Sequence, residues 1–514
     1  MAMLLEKERR RLDAKPPGPL LFHGHRAPVV SVVRHVAFTE GSLMWDDRAQ
    51  NGSVPVSTAQ ELIRLIQAQP EGSSREEIPH GGIRLLVLLG SLFFAAQALA
   101  APDEAALGQA EGYPVCPRSL RPDTRCLVGL VSRFDEVFPA RKVARGAEAR
   151  PLKRATAEPA IRYRYQSQDC GLDDYLSRHR TTGLLILKGN TILVERYQYD
   201  RKPEQRMLSM SMAKTIVAML VGVALSEGDV QSLDDRAEKY VAELKGTPYG
   251  ETPIRHLLTM SSGVRFTETY SGSDDVATLS RLSVLGESDG GAATVMPFGP
   301  RDRPPGERFH YSSAETQVLG LVLRAATGKP LAEYLSEKIW QPMGAEADAS
   351  WIIDKGGYEA AYFGINATVR DYARLGMLLA NNGALGGRQI IPAGWVRSAT
   401  TPPAKQFQPG QASSFFGYGY QTWILPGKDR QFMLRGLRGQ GVFVDPKSKV
   451  VMVHTAAGNV GDSGMGERIA LWSGVVKSLA KSARLAGAPV IRPGRPLPRL
   501  PAPVHAASRK GDKT

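Results

Sequence analysis

The chain has 514 residues and a formal net charge of +14 at pH 7, a length that allows one large domain with an insertion, or two or three domains. Much of the basic excess lies in arginine-rich ends, in residues 7–11 and 492–513. A nucleic-acid-binding protein would instead carry a basic stripe with interleaved aromatic residues on a folded element. We therefore expect no nucleic acid as partner.

The first hundred residues contain a segment typical of exported proteins. Residues 1–80 are mixed in composition and rich in Arg, Pro and Gly, and we interpret them as a non-native or disordered extension, with translation starting near residue 80. Residues 83–100 have a basic residue, an apolar core and the small-x-small end Ala98-Leu99-Ala100. This pattern predicts a signal peptide in residues 81–100, cleaved after Ala100, and hence a periplasmic or secreted protein.

Two alternatives to the signal peptide stay open, a buried helix and a signal anchor with a cytoplasmic extension. The apolar part is shorter than the roughly 20 residues that a transmembrane helix needs. We therefore expect no stable membrane span.

The cysteines, Cys116, Cys126 and Cys170, form neither a C-x-x-C motif nor a zinc-ligand pattern. In an exported protein Cys116 and Cys126 could pair and leave Cys170 free, whereas in the cytosol all three would stay thiols. Residues 101–160 are proline-rich and lack periodicity. They are predicted to form an irregular arm lying on the main domain.

The stretch with the clearest chemical signal is Ser211-Met212-Ala213-Lys214, followed by an apolar run over residues 215–225. Positions i and i+3 share a helix face, so a helix here places a hydroxyl beside an amine. In a partly dry pocket the lysine can help to deprotonate the serine, and the helix N-terminus favours an oxyanion. Gly228 is the expected C-terminal cap.

Two other interpretations limit how strongly the S-x-x-K motif at Ser211 indicates a catalytic site. A second S-x-x-K occurs at residues 478–481, near the end of an amphipathic helix, where a solvated helix end is the better interpretation. Ser211 itself could be only a helix-start residue, with Lys214 as a surface charge.

The other predicted elements follow in chain order. Two β-rich runs around Gly189-Asn190 predict a hairpin. Residues 264–305 are rich in Gly, Ser and Asp and predict a long irregular lid or pocket wall, with Phe266 and Tyr270 as pocket candidates. Helices are predicted over residues 237–244, 254–260, 316–326, 331–340, 372–380 and 467–479, and later strands over residues 417–425, 431–434, 441–445 and 450–455.

This order predicts an α/β (α+β) fold, in which an antiparallel sheet is flanked by helices and an all-helical subdomain is inserted. The hydrolase domain is assigned to residues 161–480, with α/β parts at 161–235 and 346–480 and the insertion at 236–345. The active site should lie at their boundary, where pockets tend to form. Residues 481–514 are predicted to be a disordered basic, Pro-rich tail.

Four ordered segments carry a family resemblance. They are Ser211–Lys214 with its helix, HLLTMSSG at 256–263, PGERFHYSS at 305–313 and LRGLRGQG at 434–441. Together they resemble the class C-like branch of the serine β-lactamase-like superfamily over about residues 170–480. That branch includes class C β-lactamases, D-alanyl-D-alanine peptidases, family VIII carboxylesterases and 6-aminohexanoate-dimer hydrolases, and it implies a β-lactamase/transpeptidase-like fold.

The resemblance implies the roles of the site residues. Ser211 would attack a carbonyl and become acylated, and Lys214 would hold Ser211 and Tyr311 in one hydrogen-bond network. Tyr311 would shuttle a proton, drawn toward phenolate by the neighbouring cation. The oxyanion hole would consist of the backbone N–H groups of Ser211 and Leu437.

Two departures from the family pattern bear on the substrate. The Y-x-N motif is Tyr311-Ser312-Ser313 here, and the lysine of K-T-G is replaced by Leu434, with Arg435 beside it. Both changes weaken a β-lactamase assignment and resemble the 6-aminohexanoate-dimer hydrolases and esterases more. The substrate-binding candidates are Ser313, Arg435, Gly436 and Tyr270.

The predicted function is therefore a serine hydrolase that cleaves an ester or amide bond of a small-molecule substrate through an acyl-enzyme on Ser211. The alternatives are β-lactamase or D-Ala-D-Ala peptidase activity, or a non-catalytic penicillin-binding-like sensor or binding protein. His256, His310 and His454 are expected to be structural, and Tyr311 could instead be a core tyrosine. The sequence contains no metal, nucleotide or cofactor motif, so no cofactor is expected.

Overall fold

The computed structural model describes residues 36–39, 42–45, 52–55, 101–118, 122–461 and 464–487. The chain divides into two compact units, residues 1–89 and 90–514. The signal-peptide-like segment 81–100 and the predicted cleavage after Ala100 lie outside the described residues. So does the predicted tail from residue 488 onward.

The described residues of the first unit form a small antiparallel sheet with the strand order β1-β2-β3. Its strands are β1 (Val36–Thr39), β2 (Ser42–Trp45) and β3 (Gly52–Pro55). The sequence analysis predicts no sheet here, because four-residue strands are too short to give a periodic signal.

The second unit contains two larger sheets and the helices around them. Its strands are β4 (Ala140–Val143), β5 (Lys153–Arg154), β6 (Arg162–Tyr165), β7 (Gln168–Gly171), β8 (Thr181–Lys188), β9 (Thr191–Tyr197), β10 (Arg206–Leu208), β11 (Ala349–Ile352), β12 (Ile365–Thr368), β13 (Ala384–Leu385), β14 (Arg388–Gln389), β15 (Gly417–Tyr418), β16 (Trp423–Ile424), β17 (Phe432–Arg435), β18 (Gly441–Asp445) and β19 (Val450–Ala456). Its α-helices are α1 (Leu127–Ser132), α2 (Leu172–Arg178), α3 (Met212–Glu227), α4 (Ile254–Leu258), α5 (Asp275–Ser283), α6 (Ser313–Thr327), α7 (Leu331–Leu335), α8 (Val369–Ala380), α9 (Ala393–Ala399) and α10 (Met465–Gly487).

The main sheet has the strand order β15-β16-β17-β18-β19-β8-β9-β5, and a second sheet has the order β10-β12-β11-β4. Neighbours in both sheets are antiparallel except β5 and β9, which are parallel. The predicted hairpin is present as β8 and β9, with Gly189 at φ 59° in the turn. The predicted α/β class with an antiparallel sheet is thereby confirmed.

Side-chain alternation explains why helices cover both faces of the main sheet. Leu185 and Leu187 belong to the hydrophobic cluster shared with α3, α6 and α8, whereas Leu184 and Ile186 belong to the cluster shared with α2 and α10. Successive strand residues point to opposite faces, and all four of these side chains are fully buried. The strands are therefore apolar on both faces, and the sheet forms the middle layer.

Helix α3 lies inside the core because it is apolar on all sides. Every residue from Met212 to Ala224 is buried, and the helix ends at Gly228 with φ 86°, as predicted. Gly222 allows Trp395 to lie against the helix, since a Cβ at this position would be 2.2 Å from the indole ring. The Trp395 indole N–H donates to the Ala218 carbonyl at 2.9 Å.

Helices occupy the part of the chain between β10 and β11, but two predictions within it were wrong. The predicted helix 237–244 is two 3-10 turns, Ala237–Lys239 and Ala242–Leu244. The segment 264–305 is not irregular throughout, because it contains α5, whose first turn is capped by the Asp274 side chain. Glycine- and serine-rich flanks hide this short helix in the sequence.

The arm over residues 101–160 was also predicted incorrectly as irregular. It contains α1, β4 joins the second sheet, and β5 pairs with β9 of the main sheet. Leu107, Val128 and Phe134 are buried in it. Cys116 and Cys126 form a disulfide with a Cα–Cα distance of 5.6 Å, and Cys170 is free and buried.

The last third of the chain follows the predicted strands with shifted ends. The predicted strand 417–425 is split into β15 and β16, with Gln421 between them at φ 52°. Helix α10 continues to Gly487, past the predicted domain end at residue 480. Within the described residues, no helix combines the length and apolar character needed to cross a bilayer.

Candidate active site

Ser211 lies at the N-terminal end of α3, in a turn that the second sheet holds in place. Ser209 N–H donates to the Ile365 carbonyl at 2.7 Å, and Ile365 N–H donates to the Ser209 hydroxyl at 3.1 Å. Met210 follows with φ 46°, in the left-handed region that non-glycine residues seldom adopt. This turn brings the Ser211 side chain to the wall of a cavity.

Lys214 lies one helical turn after Ser211 and is almost completely buried, with 1% of its surface exposed. Its Nζ donates to Ser211 Oγ at 2.9 Å and to the Tyr362 carbonyl at 2.9 Å. Burial lowers the pKa of Lys214 to about 8, and the charge of Glu268 opposes this shift. The interpretation of Lys214 as a surface charge is therefore wrong.

Tyr311 directly precedes α6 and reaches the same point from the helical block. Its side chain is close enough to Ser211 for the serine hydroxyl to lower the pKa of Tyr311, and its ring centroid lies 5.1 Å from Lys214 Nζ. The ring stacks on Trp423 with 5.5 Å between centroids. The structure thus brings together the three side chains that the sequence analysis selected.

The prediction that a neighbouring cation draws Tyr311 toward its phenolate form was wrong. Burial, together with the negative charge of Glu268, raises the pKa of Tyr311 well above its usual value. The neighbouring Ser211 hydroxyl and the charge of Arg435 offset only part of this rise in pKa. Tyr311 is therefore a neutral phenol that can donate a proton.

The two predicted oxyanion-hole donors face the same cavity. Ser211 and Leu437 both line it, and neither backbone N–H donates a hydrogen bond to any group in the described part of the chain. Leu437 starts a 3-10 turn directly after β17. Gly436 allows this strand end to approach the turn of residues 209–211, because a Cβ there would lie 2.5 Å from the Ser209 carbonyl oxygen.

The cavity has a volume of about 710 Å³, within the range usual for small-molecule sites. The arm, the segment 264–305 and the region around β17 contribute to its walls, together with residues 210–211, 313, 362–363 and 459–460. The residues that line it are Pro122, Thr124, Leu127, Leu130, Phe134, Met210, Ser211, Glu268, Tyr270, Gly272, Asp274, Val276, Ala277, Ser280, Arg281, Leu285, Ser313, Tyr362, Phe363, Leu437, Arg438, Asn459 and Val460. The segment 264–305 thus forms one wall, as the sequence analysis expects.

Glu268 is a cavity residue that the sequence analysis missed. It accepts hydrogen bonds from the Ser313 backbone N–H at 2.8 Å, the Ser313 hydroxyl at 2.9 Å and the Tyr270 hydroxyl at 2.8 Å. Ser313 and Tyr270 line the cavity as predicted, but both hydroxyls are engaged by this carboxylate. Glu268 lies two residues before Tyr270, so its proximity to a pocket candidate is the signal that could have identified it.

The remaining candidates lie differently from what the sequence suggests. Arg435 is not among the residues that line the cavity, and its guanidinium instead lies over the Trp423 ring at 5.1 Å and the Phe416 ring at 5.5 Å. Phe266 packs against Phe298 with 5.0 Å between ring centroids and does not line the cavity. Near β17, the cationic side chain that lines the cavity is Arg438.

His256, His310 and His454, the histidines expected to be structural, are not among the described residues that line the cavity. His454 is fully buried, and its ring nitrogens contact the Gly439 carbonyl at 2.7 Å and the Tyr175 and Thr181 hydroxyls at 3.1 Å. The His310 ring contacts the Phe266 carbonyl at 2.6 Å. These contacts fit the structural role expected for the histidines.

Comparison with known proteins agrees with this architecture. Residues 172–474, more than half of the chain, match the family described as Beta-lactamase. The chain is 29% identical over 331 residues to the 6-aminohexanoate-dimer hydrolase of Paenarthrobacter ureafaciens, covering 63% of this chain and 83% of that relative. A solved structure from Bacillus anthracis, assigned as a 6-aminohexanoate-dimer hydrolase, matches with a TM-score of 0.62 at 24% identity, over 70% of this chain and 96% of that one. The extent of the family match shows that this chain belongs to the beta-lactamase family, as its four motif segments predict.

Proposed function

We propose that this protein is a serine hydrolase that cleaves an ester or amide bond of a small substrate through an acyl-enzyme on Ser211. The observation that carries the proposal is the contact between Ser211 Oγ and the buried Lys214 Nζ, at 2.9 Å. An amine whose pKa is lowered to about 8 is partly neutral near pH 7, and a neutral amine can accept the serine proton. Membership of the beta-lactamase family supports the same chemistry.

The arrangement supports a two-step mechanism. Lys214 takes the proton from Ser211 as Oγ attacks the substrate carbonyl, and the N–H groups of Ser211 and Leu437 stabilise the oxyanion. Tyr311, a neutral phenol next to Ser211, gives its proton to the leaving alcohol or amine and is reprotonated from Lys214. Water then attacks the acyl-enzyme with Lys214 again as base, and the acid product leaves.

The test is labelling and turnover with matched variants. Purified protein should react with a fluorophosphonate probe at Ser211 and hydrolyse p-nitrophenyl acetate, and Ser211→Ala should lose both activities by at least about 10³-fold. Ser478→Ala is the control, because Ser478 belongs to the other S-x-x-K sequence and its hydroxyl accepts from the Arg162 N–H, away from the cavity. Equal labelling of Ser211→Ala and wild type would refute the proposal.

Two further assays with the same purified protein distinguish this function from the alternatives. Hydrolysis of a chromogenic cephalosporin at rates that match the ester would favour β-lactamase or peptidase activity. Saturable ligand binding without turnover, unchanged in Ser211→Ala, would favour a non-catalytic binding protein. The replacement of the family's amide by Ser313, whose hydroxyl donates to Glu268, supports the ester or amide hydrolase over the β-lactamase.

A further inference from the structure

The N-terminal arm contributes a wall to the cavity that contains Ser211. Pro122, Thr124, Leu127, Leu130 and Phe134 all line it. These residues precede the family match, which begins at residue 172. A part of the chain outside the matched family region therefore reaches the candidate active site.

The arm is fixed to the rest of the unit at several points. Strand β4 of the arm pairs with β11 of the second sheet, and within the arm the Cys116–Cys126 disulfide cross-links the chain directly before α1. At the end of α1 the buried Arg201 guanidinium donates to the Ser132 hydroxyl at 2.9 Å. These attachments make the arm a fixed wall of the cavity.

The contacts of the arm lead directly to the nucleophile turn. Phe134 packs edge-to-face on Phe363, with 5.8 Å between ring centroids. Leu130 and Met210 belong to the same hydrophobic cluster, and Met210 directly precedes Ser211. Phe134 is 5% exposed, whereas Leu130 is only partly buried, so Leu130 presents apolar surface to the cavity.

We propose that Leu130 and the arm around it bind an apolar group of the substrate, an aliphatic chain or aromatic ring attached to the scissile ester or amide. This proposal rests on the proposed function and adds the substrate class. The same cavity is also lined by the apolar residues Val276, Ala277 and Leu285. An apolar group bound at the arm would therefore be enclosed by apolar side chains from other parts of the cavity as well. Such burial is favourable in proportion to the apolar area removed from water.

The test compares long and short substrates in two series, so that both sides of the scissile bond are covered. The acyl side is probed with p-nitrophenyl octanoate against acetate, and the alcohol side with octyl acetate against methyl acetate. In Leu130→Ala the long-to-short ratio of kcat/KM should fall about tenfold in at least one series, and in Leu130→Trp it should also fall because the ring fills the space. Unchanged ratios in both variants would overturn the proposal.

Leu193→Ala is the matched control, since Leu193 is also partly buried but packs in the cluster on the other face of the sheet. Its ratios should equal those of wild type. A purely structural role of Leu130 would lower the melting temperature and both rates together while leaving the ratio unchanged.

A binding measurement separates this proposal from the proposed function. Octanamide and N-octylacetamide carry the octyl chain on the acyl side and on the leaving-group side of the amide, respectively. At least one of them should bind Ser211→Ala at least about fivefold more tightly than it binds the Ser211→Ala/Leu130→Ala double variant, by calorimetry. This difference is expected even if Ser211 proves unreactive toward esters and fluorophosphonates. Equal affinities of the two variants for both amides would contradict the role of Leu130 whatever the outcome of the labelling experiment.

Discussion

The pH dependence of hydrolysis tests the role of Lys214 as base. Burial lowers the pKa of Lys214 from 10.5 to about 8, and only the neutral amine can accept the Ser211 proton. If Lys214 alone controls the rate, kcat/KM for p-nitrophenyl acetate should rise about tenfold per pH unit below pH 7 and level off above about pH 8. The rate with Ser211→Ala, measured in parallel, removes the contribution of spontaneous hydrolysis.

A Glu268 variant tests the direction in which the pKa of Lys214 should move. Glu268 raises the pKa of Lys214 through its negative charge, so Glu268→Gln should move the midpoint of the profile to lower pH. Arg281→Gln serves as a cavity control, because Arg281 lines the cavity but does not contribute to the pKa of Lys214. A flat profile between pH 6 and 9, or a midpoint that moves upward in Glu268→Gln, would refute the reasoning.

The same pKa shift makes a prediction about stability. A base whose pKa is lower in the folded state stabilises the protein fully only above its unfolded pKa, and this contribution is lost as pH falls through the folded value. Relative to Lys214→Met, the free energy of unfolding of wild type should therefore rise by about 2.5 kcal/mol between pH 7 and pH 10. Urea denaturation at these two pH values measures the difference, and a constant offset between the proteins would contradict the shifted pKa.

Two further predictions concern buried groups away from the reacting atoms. Glu315 is buried and accepts a hydrogen bond from the Ser262 hydroxyl, and burial raises the pKa of Glu315 from 4.5 to about 8. The protonated carboxyl therefore stabilises the fold at low pH, and this contribution is lost as pH rises toward 8. Wild type should lose about 4 kcal/mol relative to Glu315→Gln between pH 5 and pH 9, and parallel denaturation curves would contradict this. Gly222→Ala should destabilise the protein by about 1–3 kcal/mol because the new Cβ would overlap the Trp395 ring, whereas Gly394→Ala, with open space at its Cβ, should be neutral or stabilising in the same melting experiment.

The nucleophile and its neighbours were predictable from the sequence because their spacing follows from helix geometry. Ser211 and Lys214 share a helix face by the i, i+3 rule, and a continuous apolar run predicted that this helix is buried. Tyr311 was found through the ordered set of motifs. The order of strands and helices also predicted the sheet and its flanking layers.

Other features of the site depend on contacts that the sequence does not encode locally. The Tyr362 carbonyl that accepts from Lys214 is a backbone group, so its residue type gives no signal. Glu268 becomes important only because the fold brings it to Ser313. The phenolate prediction for Tyr311 failed because burial, which depends on the whole fold, outweighs the nearby charges.

The arm was misjudged for a related reason. Its prolines suggested an irregular segment, yet α1 is only six residues long, too short to produce a periodic pattern over several turns. The contact between Phe134 and Phe363 joins residues far apart in the chain. Composition alone cannot predict such a contact.

A single helix, α3, carries both the hydroxyl and the amine, whereas the surrounding walls come from separate parts of the chain. The Ser211–Lys214 spacing therefore does not depend on the sequence of the arm or of residues 264–305. A directed-evolution library confined to Leu130, Val276 and Leu285 should consequently alter substrate preference while most members still react with a small fluorophosphonate. The fold thus separates the residues that set reactivity from the positions at which selectivity can diversify.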